Sequence, residues 1–201
     1  MMQRIFKFWL PLTALFLGLA WFSQWRFDPD KEAKAGLERL NRWRIQAGLQ
    51  ELRPFPQLEK AAYNHAAYLG KDAHGHSETN RRNPYYTGAE PQARATAAGY
   101  PAPIVENLSV SNFARSGVRS ADSLMTALYH RLALLNPDHD EAGVAWVRSR
   151  HNAFVIVQGS SRERELCGQA GSLATKRYIL TMQCNGQATE IPLDAAPRRY
   201  I

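Results

Sequence analysis

The sequence is poor in cysteine and lacks the short motifs by which many metalloenzymes and hydrolases are recognised. It contains only two cysteines in 201 residues, Cys167 and Cys184, and neither has a histidine or a second cysteine pair nearby. That scarcity excludes a zinc knuckle and cysteine-based catalysis in the C-terminal part. There is also no HExxH segment and no G-x-S-x-G elbow. The sequence therefore lacks the local signatures of a zinc protease and of an α/β-hydrolase.

Long hydrophobic runs are absent except at the N-terminus. There, Arg4 and Lys7 precede an uncharged apolar run over residues 8–22, and polar residues follow. This arrangement predicts an export signal. A helix over that run would be about 22 Å long, short of the ~30 Å hydrocarbon core, but Gly18 and Ala20 offer a small-x-small cleavage site. Residues 1–26 are thus expected to be a cleaved signal peptide or a membrane-bound signal anchor.

Export places the rest of the chain in the periplasm, on the outer face of the inner membrane, or outside the cell. In an oxidising compartment two cysteines most often pair, so Cys167 and Cys184 are predicted to form a disulfide. A loop of this length predicts a stabilisation of roughly 3 kcal/mol. The disulfide would lie within a C-terminal extension over residues 161–201.

Acidic residues are fewer than basic ones, 18 against 25, for a net charge of +7. A surplus of this size, spread over many arginines, is typical of a solvated basic surface rather than a nucleic-acid groove, so no nucleic-acid partner is expected. The 45% hydrophobic and 21% charged content is that of a globular protein. The length suits one domain with a short appendage.

The spacing of apolar residues predicts a mixed α+β fold. Helices are expected over residues 31–47, 55–69 and 91–98, and from Asp122 to about residue 135. His65 falls on the apolar stripe of the second helix, which predicts a core histidine. Strands are expected over residues 105–110, 141–147 and 153–158, the last two as a hairpin, with a final strand at 177–183 that joins the sheet.

Three polar segments stand too far apart for a local structural explanation. They are HGHSE at residues 74–78, Glu106 within ENLS, and His130 within Tyr-His-Arg. Two neutral imidazoles and a carboxylate are a sufficient ligand set for Zn²⁺ once a water completes it. Alternatively, Glu106 holds both histidines by charge-assisted hydrogen bonds, which would make the site sensitive to pH without a metal. Ser77, adjacent to His76 in the chain, is expected to form loop hydrogen bonds rather than to act as a nucleophile.

The order of several motifs resembles a known family. LEKAAYNHAAYL, HSE, YYTGAEPQARATAAGYP, ENLS, LMTALYHRLALLNP and EAGVAWV follow one another as in the CAP superfamily. These are the SCP-like domains of cysteine-rich secretory proteins, antigen 5 and plant pathogenesis-related proteins, and the bacterial branch is the most similar. The resemblance covers residues 32–160. It implies a three-layer α-β-α sandwich with a central antiparallel sheet and a cleft lined by histidine and glutamate, which in some members coordinates a divalent metal.

Carried over position by position, the resemblance places cleft residues at His76, Glu106 and His130. The helix glutamate of the eukaryotic members is replaced by Ala127. The fourth cleft position has two candidates, His139 and Glu141.

The sequence thus predicts an exported cell-envelope CAP-domain protein whose cleft binds a glycan, peptide or lipid. Zinc held by His76 and His130 is the metal hypothesis, and the membrane is a partner only if the N-terminal segment stays uncleaved. One alternative is a His/Glu- or metal-dependent hydrolase acting on envelope peptide or glycan. Another is a structural or partner-binding module. No catalytic residue is assigned.

Overall fold

A computed structural model describes residues 28–112, 116–169 and 179–192. The helices are α1 (Pro29–Gln46), α2 (Pro56–Lys71), α3 (Pro91–Ala98), α4 (Gly117–Thr126), α5 (Leu128–Leu134) and α6 (Ser161–Gln169). The strands are β1 (Arg53–Pro54), β2 (Ile104–Ser111), β3 (Glu141–Arg148), β4 (Asn152–Gly159), β5 (Ile179–Cys184) and β6 (Gln187–Pro192). The predicted export signal lies outside the described residues. Within them, no helix combines the length and the hydrophobicity that crossing a membrane requires.

The central sheet has the strand order β1-β3-β4-β2. β3 and β4 form the predicted hairpin, and β2 pairs antiparallel with the other side of β4. β1 spans two residues and runs parallel to β3. The sheet expected to be antiparallel is therefore mixed, with a short parallel strand at one edge.

Helices cover both faces of this sheet, as the α+β prediction requires. Side chains of β4 alternate: Val155 and Val157 pack into a core with α2 and α3, while Phe154 and Ile156 pack into a second core with α1 and α4. The alternation is the two-residue period of a strand buried on both sides. We call these two surfaces the α2 face and the α1 face. The molecule is a three-layer sandwich, and the predicted helices α1, α2 and α3 are confirmed to within two residues at each end.

The helix expected to start at Asp122 is different. α4 begins five residues earlier, after Ser116, whose side chain accepts a hydrogen bond from the Arg119 N–H. Asp122 lies inside the helix and binds the side chains of Arg39 and Trp43 on α1. The helix then breaks at Ala127, which has an extended ψ of 127°. An N-cap role for Asp122 was wrong because its carboxylate pairs across helices instead.

The final strand does not join the central sheet. In the part of the chain that the structure describes, β5 pairs with β6 alone, in a separate two-stranded sheet. Asn185 and Gly186, which both have positive φ, form the tight turn between these two strands. This hairpin packs Met182 and Ile191 into the α2-face core. The predicted Cys167–Cys184 disulfide is confirmed, with an S–S distance of 2.08 Å, and it links α6 to β5.

Candidate functional site

Glu106 is the centre of a group of charged side chains on the α2 face. It lies on the edge strand β2, and its side chain is 2% exposed. Its Oε1 accepts hydrogen bonds from His76 Nδ1 at 3.0 Å and from Arg94 Nη2 at 2.8 Å. Its Oε2 is 3.0 Å from the same Arg94 nitrogen. The carboxylate is therefore shared between a histidine on a loop and an arginine on a helix.

A second carboxylate lies behind it. His65 Nδ1 is 2.8 Å from Glu78 Oε1, and both side chains are fully buried. The other imidazole nitrogen of His65 is 3.5 Å from Glu106 Oε1, so the ring stands between the two carboxylates. Glu78 Oε2 also accepts the Thr87 N–H at 3.2 Å. His65 is a core residue as predicted, and it is also part of this site.

Arg94 lies close to both carboxylates and fixes the loop between α2 and α3. Its side chain is 1% exposed, with Nε 3.7 Å from Glu78 Oε1. The guanidinium also donates to the carbonyl oxygens of His76, Gly88 and Ala89. Arg94 is carried by a short helix whose Ala95 and Ala98 are buried. One buried cation thus holds the loop that presents His76.

We call His65, His76, Glu78, Arg94 and Glu106 the His76 cluster. The cluster brings two carboxylates and two imidazoles together around one guanidinium. Burial raises the pKa of Glu106, but the His76 hydrogen bond and the nearby charges of His65 and Arg94 outweigh it and hold that pKa below its usual value. Glu106 is therefore ionised and accepts the Nδ1–H of His76. The Nε2 atom of His76 is left for other contacts.

His76 is the accessible member of the cluster. Its side chain is 46% exposed, against 2% or less for the other four. The neighbouring Ser77 donates its hydroxyl to Glu90 Oε1 at 3.1 Å, which is the loop role expected from the sequence. A ligand in solution can therefore contact His76, while the other four side chains position it.

His130, the third predicted cleft residue, is not part of the His76 cluster. It lies on α5, which contributes Leu134 to the α1-face core, whereas the side chain of Glu106 is on the α2 face. Within the described residues, His130 forms no hydrogen bond or ion pair with His76 or Glu106, and its buried Nδ1 lacks a hydrogen-bond partner. The structure brings together His76 and Glu106 from the predicted trio.

Of the two candidates for a fourth position, Glu141 lies in a second charged group and His139 lies just before it in the chain. Glu141, at the start of β3, binds Arg164 of α6 at 2.7 Å and accepts the Tyr100 hydroxyl at 3.2 Å. Burial raises the pKa of Tyr100, and the charge of Glu141 raises it further, so the hydroxyl stays protonated and donates. His139 is buried two residues before the strand, where its carbonyl accepts from Arg44. We call Tyr100, Glu141 and Arg164 the Tyr100 cluster.

The residues present do not fit a metal centred on Glu106. Among the described residues, no three His, Cys, Asp or Glu side chains are grouped so that they could hold a metal ion. Arg94 Nη2 lies within 3.0 Å of both oxygens of Glu106, where a divalent cation would meet a permanent positive charge. Zinc binding by His76 and His130 stays a prediction.

Sequence reasoning missed Glu78 and Arg94 as site residues. Glu78 stands in the HGHSE segment, two residues after His76, yet only tertiary contact pairs it with His65. The sequence did contain a signal for the burial of Arg94, because this residue stands one turn before the buried Ala98 on α3. A charged residue on the buried stripe of a short helix indicates a buried ionic partner.

Comparison with known proteins agrees with this architecture. The family model described as CAP: Cysteine-rich secretory protein family matches residues 37–159. An outer surface protein of Borrelia burgdorferi is 21% identical, with a TM-score of 0.56 over 66% of this chain and 95% of that one. An extracellular SCP-domain protein of Bacillus anthracis is 16% identical, with a TM-score of 0.55 over 66% of this chain and 41% of that protein's length. At these identities the solved structures support the fold alone, and no curated protein matches.

Proposed function

Because the chain belongs to the cysteine-rich secretory protein (CAP) family, we propose that it is an exported envelope protein of the bacterial type whose His76 cluster binds an envelope ligand. Export is supported by the basic and apolar N-terminal segment and by the disulfide. Two similar solved structures are described as an outer surface protein and an extracellular protein. The ligand class is an envelope glycan, peptide or lipid.

The observation that carries this proposal is the half-exposed His76 fixed on buried charges. Its Nδ1 is held by Glu106 at 3.0 Å, and its carbonyl is held by Arg94 at 2.8 Å. Both the ring and the main chain are therefore positioned before a ligand arrives, which lowers the entropy cost of binding. With Nδ1–H donated to Glu106, Nε2 is the atom that accepts a hydrogen bond from a ligand hydroxyl or amide.

Recognition is favoured over hydrolysis because the buried carboxylates are already engaged. Glu106 contacts Arg94 through both oxygens, and its lowered pKa makes it a weak proton acceptor. Glu78 is fully buried and bound to His65. The adjacent hydroxyl of Ser77 is bonded to Glu90. A general base would have to be His76 itself.

A His/Glu hydrolase is the second candidate. The observation in its favour is the His76–Glu106 pair, in which an ionised carboxylate orients an imidazole with its free nitrogen outward, the arrangement of a general base acting on water. It would act on an envelope peptide or glycan. The third candidate, a purely structural role for the cluster, predicts that its loss changes stability alone.

One experiment separates the three candidates. Soluble peptidoglycan fragments are titrated calorimetrically into the full-length protein and into His76→Ala and His74→Ala variants, and released reducing ends and amines are measured in parallel. His74 is an exposed imidazole two residues away in the same loop and serves as the matched control. We expect at least a tenfold loss of affinity in His76→Ala, an unchanged melting temperature, and parent-like binding in His74→Ala.

Any other outcome would count against this expectation. Product release by the parent that disappears in His76→Ala would favour the hydrolase. Equal binding by all three proteins would contradict the assignment of the ligand site to His76. Lost binding together with a large fall in melting temperature would favour the structural role.

A further inference from the structure

The outer side of α5 is apolar, although this helix lies at the surface of the molecule. Five of its seven residues are apolar, and Leu134 is the buried one. In the part of the chain that the structure describes, five large hydrophobic side chains are exposed, and three of them are in this helix: Leu128 at 58%, Tyr129 at 83% and Leu132 at 63%. A helix with apolar side chains on its inner and its outer side is typical of a core or a membrane rather than of a surface in water.

The three exposed side chains form one continuous patch. Leu132 stands four residues after Leu128 and three after Tyr129, the spacings at which helical side chains are neighbours. Leu134, which packs into the α1-face core, lies on the opposite side of the helix. The chain changes direction at Ala127, where ψ is 127°, so the patch begins with the first residue of a new helix. We call Leu128, Tyr129 and Leu132 the α5 patch.

The charge beside the α5 patch is positive. Residues 123–137 contain no aspartate and no glutamate. Arg131 is exposed and follows Leu128 by three residues, so its side chain flanks the patch. Asp122, which precedes this stretch, is paired with Arg39 on α1. The surface that α5 offers therefore consists of leucine and tyrosine with an arginine at its margin.

A lipid surface fits this combination better than a second protein does. Leucine enters the acyl boundary of a membrane, tyrosine lies at the level of the headgroups, and arginine is attracted to anionic lipids. A stable protein–protein interface buries about 800 Å² and roughly 20–30 residues on each partner, whereas the α5 patch has three side chains. The net charge of the chain is +7, which favours approach to an anionic membrane.

We propose that α5 inserts its patch into the headgroup region of an anionic phospholipid membrane and so docks the domain on the envelope. No residue of the patch is in the His76 cluster, and this docking goes beyond the ligand binding proposed above. α5 contacts β2, the edge strand that carries Glu106, so the docked membrane lies near the strand of the His76 cluster. The contact holds the domain against the membrane whether or not the N-terminal signal is cleaved.

Two labelled proteins test how the domain is oriented on vesicles. The chain has two cysteines and both are in the disulfide, so one introduced cysteine can carry an environment-sensitive fluorophore. Tyr129→Cys places it on the α5 patch, and Tyr63→Cys, at a 52% exposed tyrosine of α2, is the matched control. On vesicles of phosphatidylglycerol and phosphatidylethanolamine that contain a brominated lipid, we expect at least fivefold stronger quenching at position 129 than at position 63. Both proteins are full-length, so insertion through the N-terminal segment affects them equally.

The chemistry of the contact is tested by two further changes. Adding Leu128→Ser and Leu132→Ser to the protein labelled at position 129 should lower its quenching at least fivefold. Replacing phosphatidylglycerol by phosphatidylcholine should lower it about fivefold, the contribution of one arginine near an anionic surface. Equal quenching at both labelled positions, no quenching at position 129, or no dependence on phosphatidylglycerol would overturn the proposal.

A second copy of the chain is the competing occupant of the α5 patch. Sedimentation of the parent as a dimer that Leu132→Ser dissociates would overturn the proposal, because another protomer would then cover the patch. A last measurement needs no variant. Hydrogen exchange of the α5 amides in the parent should slow at least fivefold when the anionic vesicles are added, while the amides of α3 keep their rates. Unchanged exchange in α5 would contradict membrane docking.

Discussion

The His76 cluster and the Tyr100 cluster bury carboxylates on the same face of the same sheet, yet they differ in access to solvent. Glu106 and Glu141 lie in adjacent rows of the sheet, on opposite sides of β4. Glu106 is paired with a 1% exposed arginine on one side and a 46% exposed histidine on the other. Glu141 is paired with Arg164 and the buried Tyr100 hydroxyl, and α6 lies over it.

The difference teaches that a buried charge by itself does not mark a binding site. Both glutamates need a cation, because an unpaired carboxylate in a core is costly. An arginine meets that need in each cluster. Only the His76 cluster adds an exposed, oriented side chain with a free hydrogen-bonding atom. The Tyr100 cluster instead fixes α6 to the start of β3, which is a structural task.

The largest expected effect comes from removing the buried cation of the His76 cluster. Arg94→Met leaves Glu78 and Glu106 without their guanidinium, and breaking a buried pair in this way should cost about 3–5 kcal/mol of unfolding free energy. Arg164→Met is the matched change in the Tyr100 cluster, where a 30% exposed arginine allows water to replace it at under about 2 kcal/mol. Denaturant unfolding of both variants measures the difference. Equal losses would contradict the contrast between the clusters.

Loss of the disulfide should lower the stability of the protein without weakening ligand binding, because it loosens α6, the helix that contributes Arg164 to the Tyr100 cluster. A Cys167→Ser, Cys184→Ser variant frees α6 from β5 and should lose about 3 kcal/mol of unfolding free energy. The affinity for the envelope ligand should stay within twofold of the parent at temperatures where the variant is folded, because the disulfide joins no part of the His76 cluster. Calorimetry on the folded variant tests this, and a tenfold loss of affinity would show that the two regions are coupled.

Acid sensitivity should depend on Glu106. Its pKa is held below the usual value of 4.5, so its contribution to stability is present above pH 4.5 and is lost as the pH falls through the lower folded-state pKa. Below pH 4.5 the unfolding free energy of the parent should therefore fall more steeply than that of Glu106→Gln. Glu59→Gln, on the exposed surface of α2, should follow the parent. Parallel curves for parent and Glu106→Gln would refute the ionised, paired state.

The smallest change in stability is expected at the residue that we assign to ligand contact. His76→Ala removes a half-exposed ring and should change the unfolding free energy by less than about 0.5 kcal/mol. His65→Ala removes a fully buried ring between two carboxylates and should cost several times more. The melting temperatures of the two variants compare the loss of a half-exposed histidine with the loss of a buried one. A destabilised His76→Ala would place His76 among the structural residues.

Much of the architecture could be predicted because it depends on local patterns. The apolar period gave α1, α2 and α3, and the alternating β-branched residues gave the β3–β4 hairpin. The start of α4 was missed because Asp122 resembles an N-cap residue, while its actual partners, Arg39 and Trp43, are on another helix. The separate β5–β6 hairpin depends on a turn at Asn185 and Gly186 whose effect on the sheet was not recognised.

The site was predictable in part. The His76–Glu106 pair, expected from the order of motifs along the chain, is hydrogen-bonded in the structure. Glu78 and Arg94 were missed because ionic partners are chosen by distance in space, and the arginine and its two glutamates lie on three different elements. Within the described residues His130, the third motif residue, forms no hydrogen bond or ion pair with His76 or Glu106.

The sequence by itself determined the family, the layered fold, the disulfide and the expectation that His76 and Glu106 belong together, because periodicity and motif order are properties of the chain. Only the tertiary structure decided that Arg94 is the buried cation, that His65 stands between two carboxylates, and that Glu141 serves α6 instead. The reason is that burial and pairing of charge depend on which elements approach one another, and the energy of a charge pair changes strongly over a few ångströms.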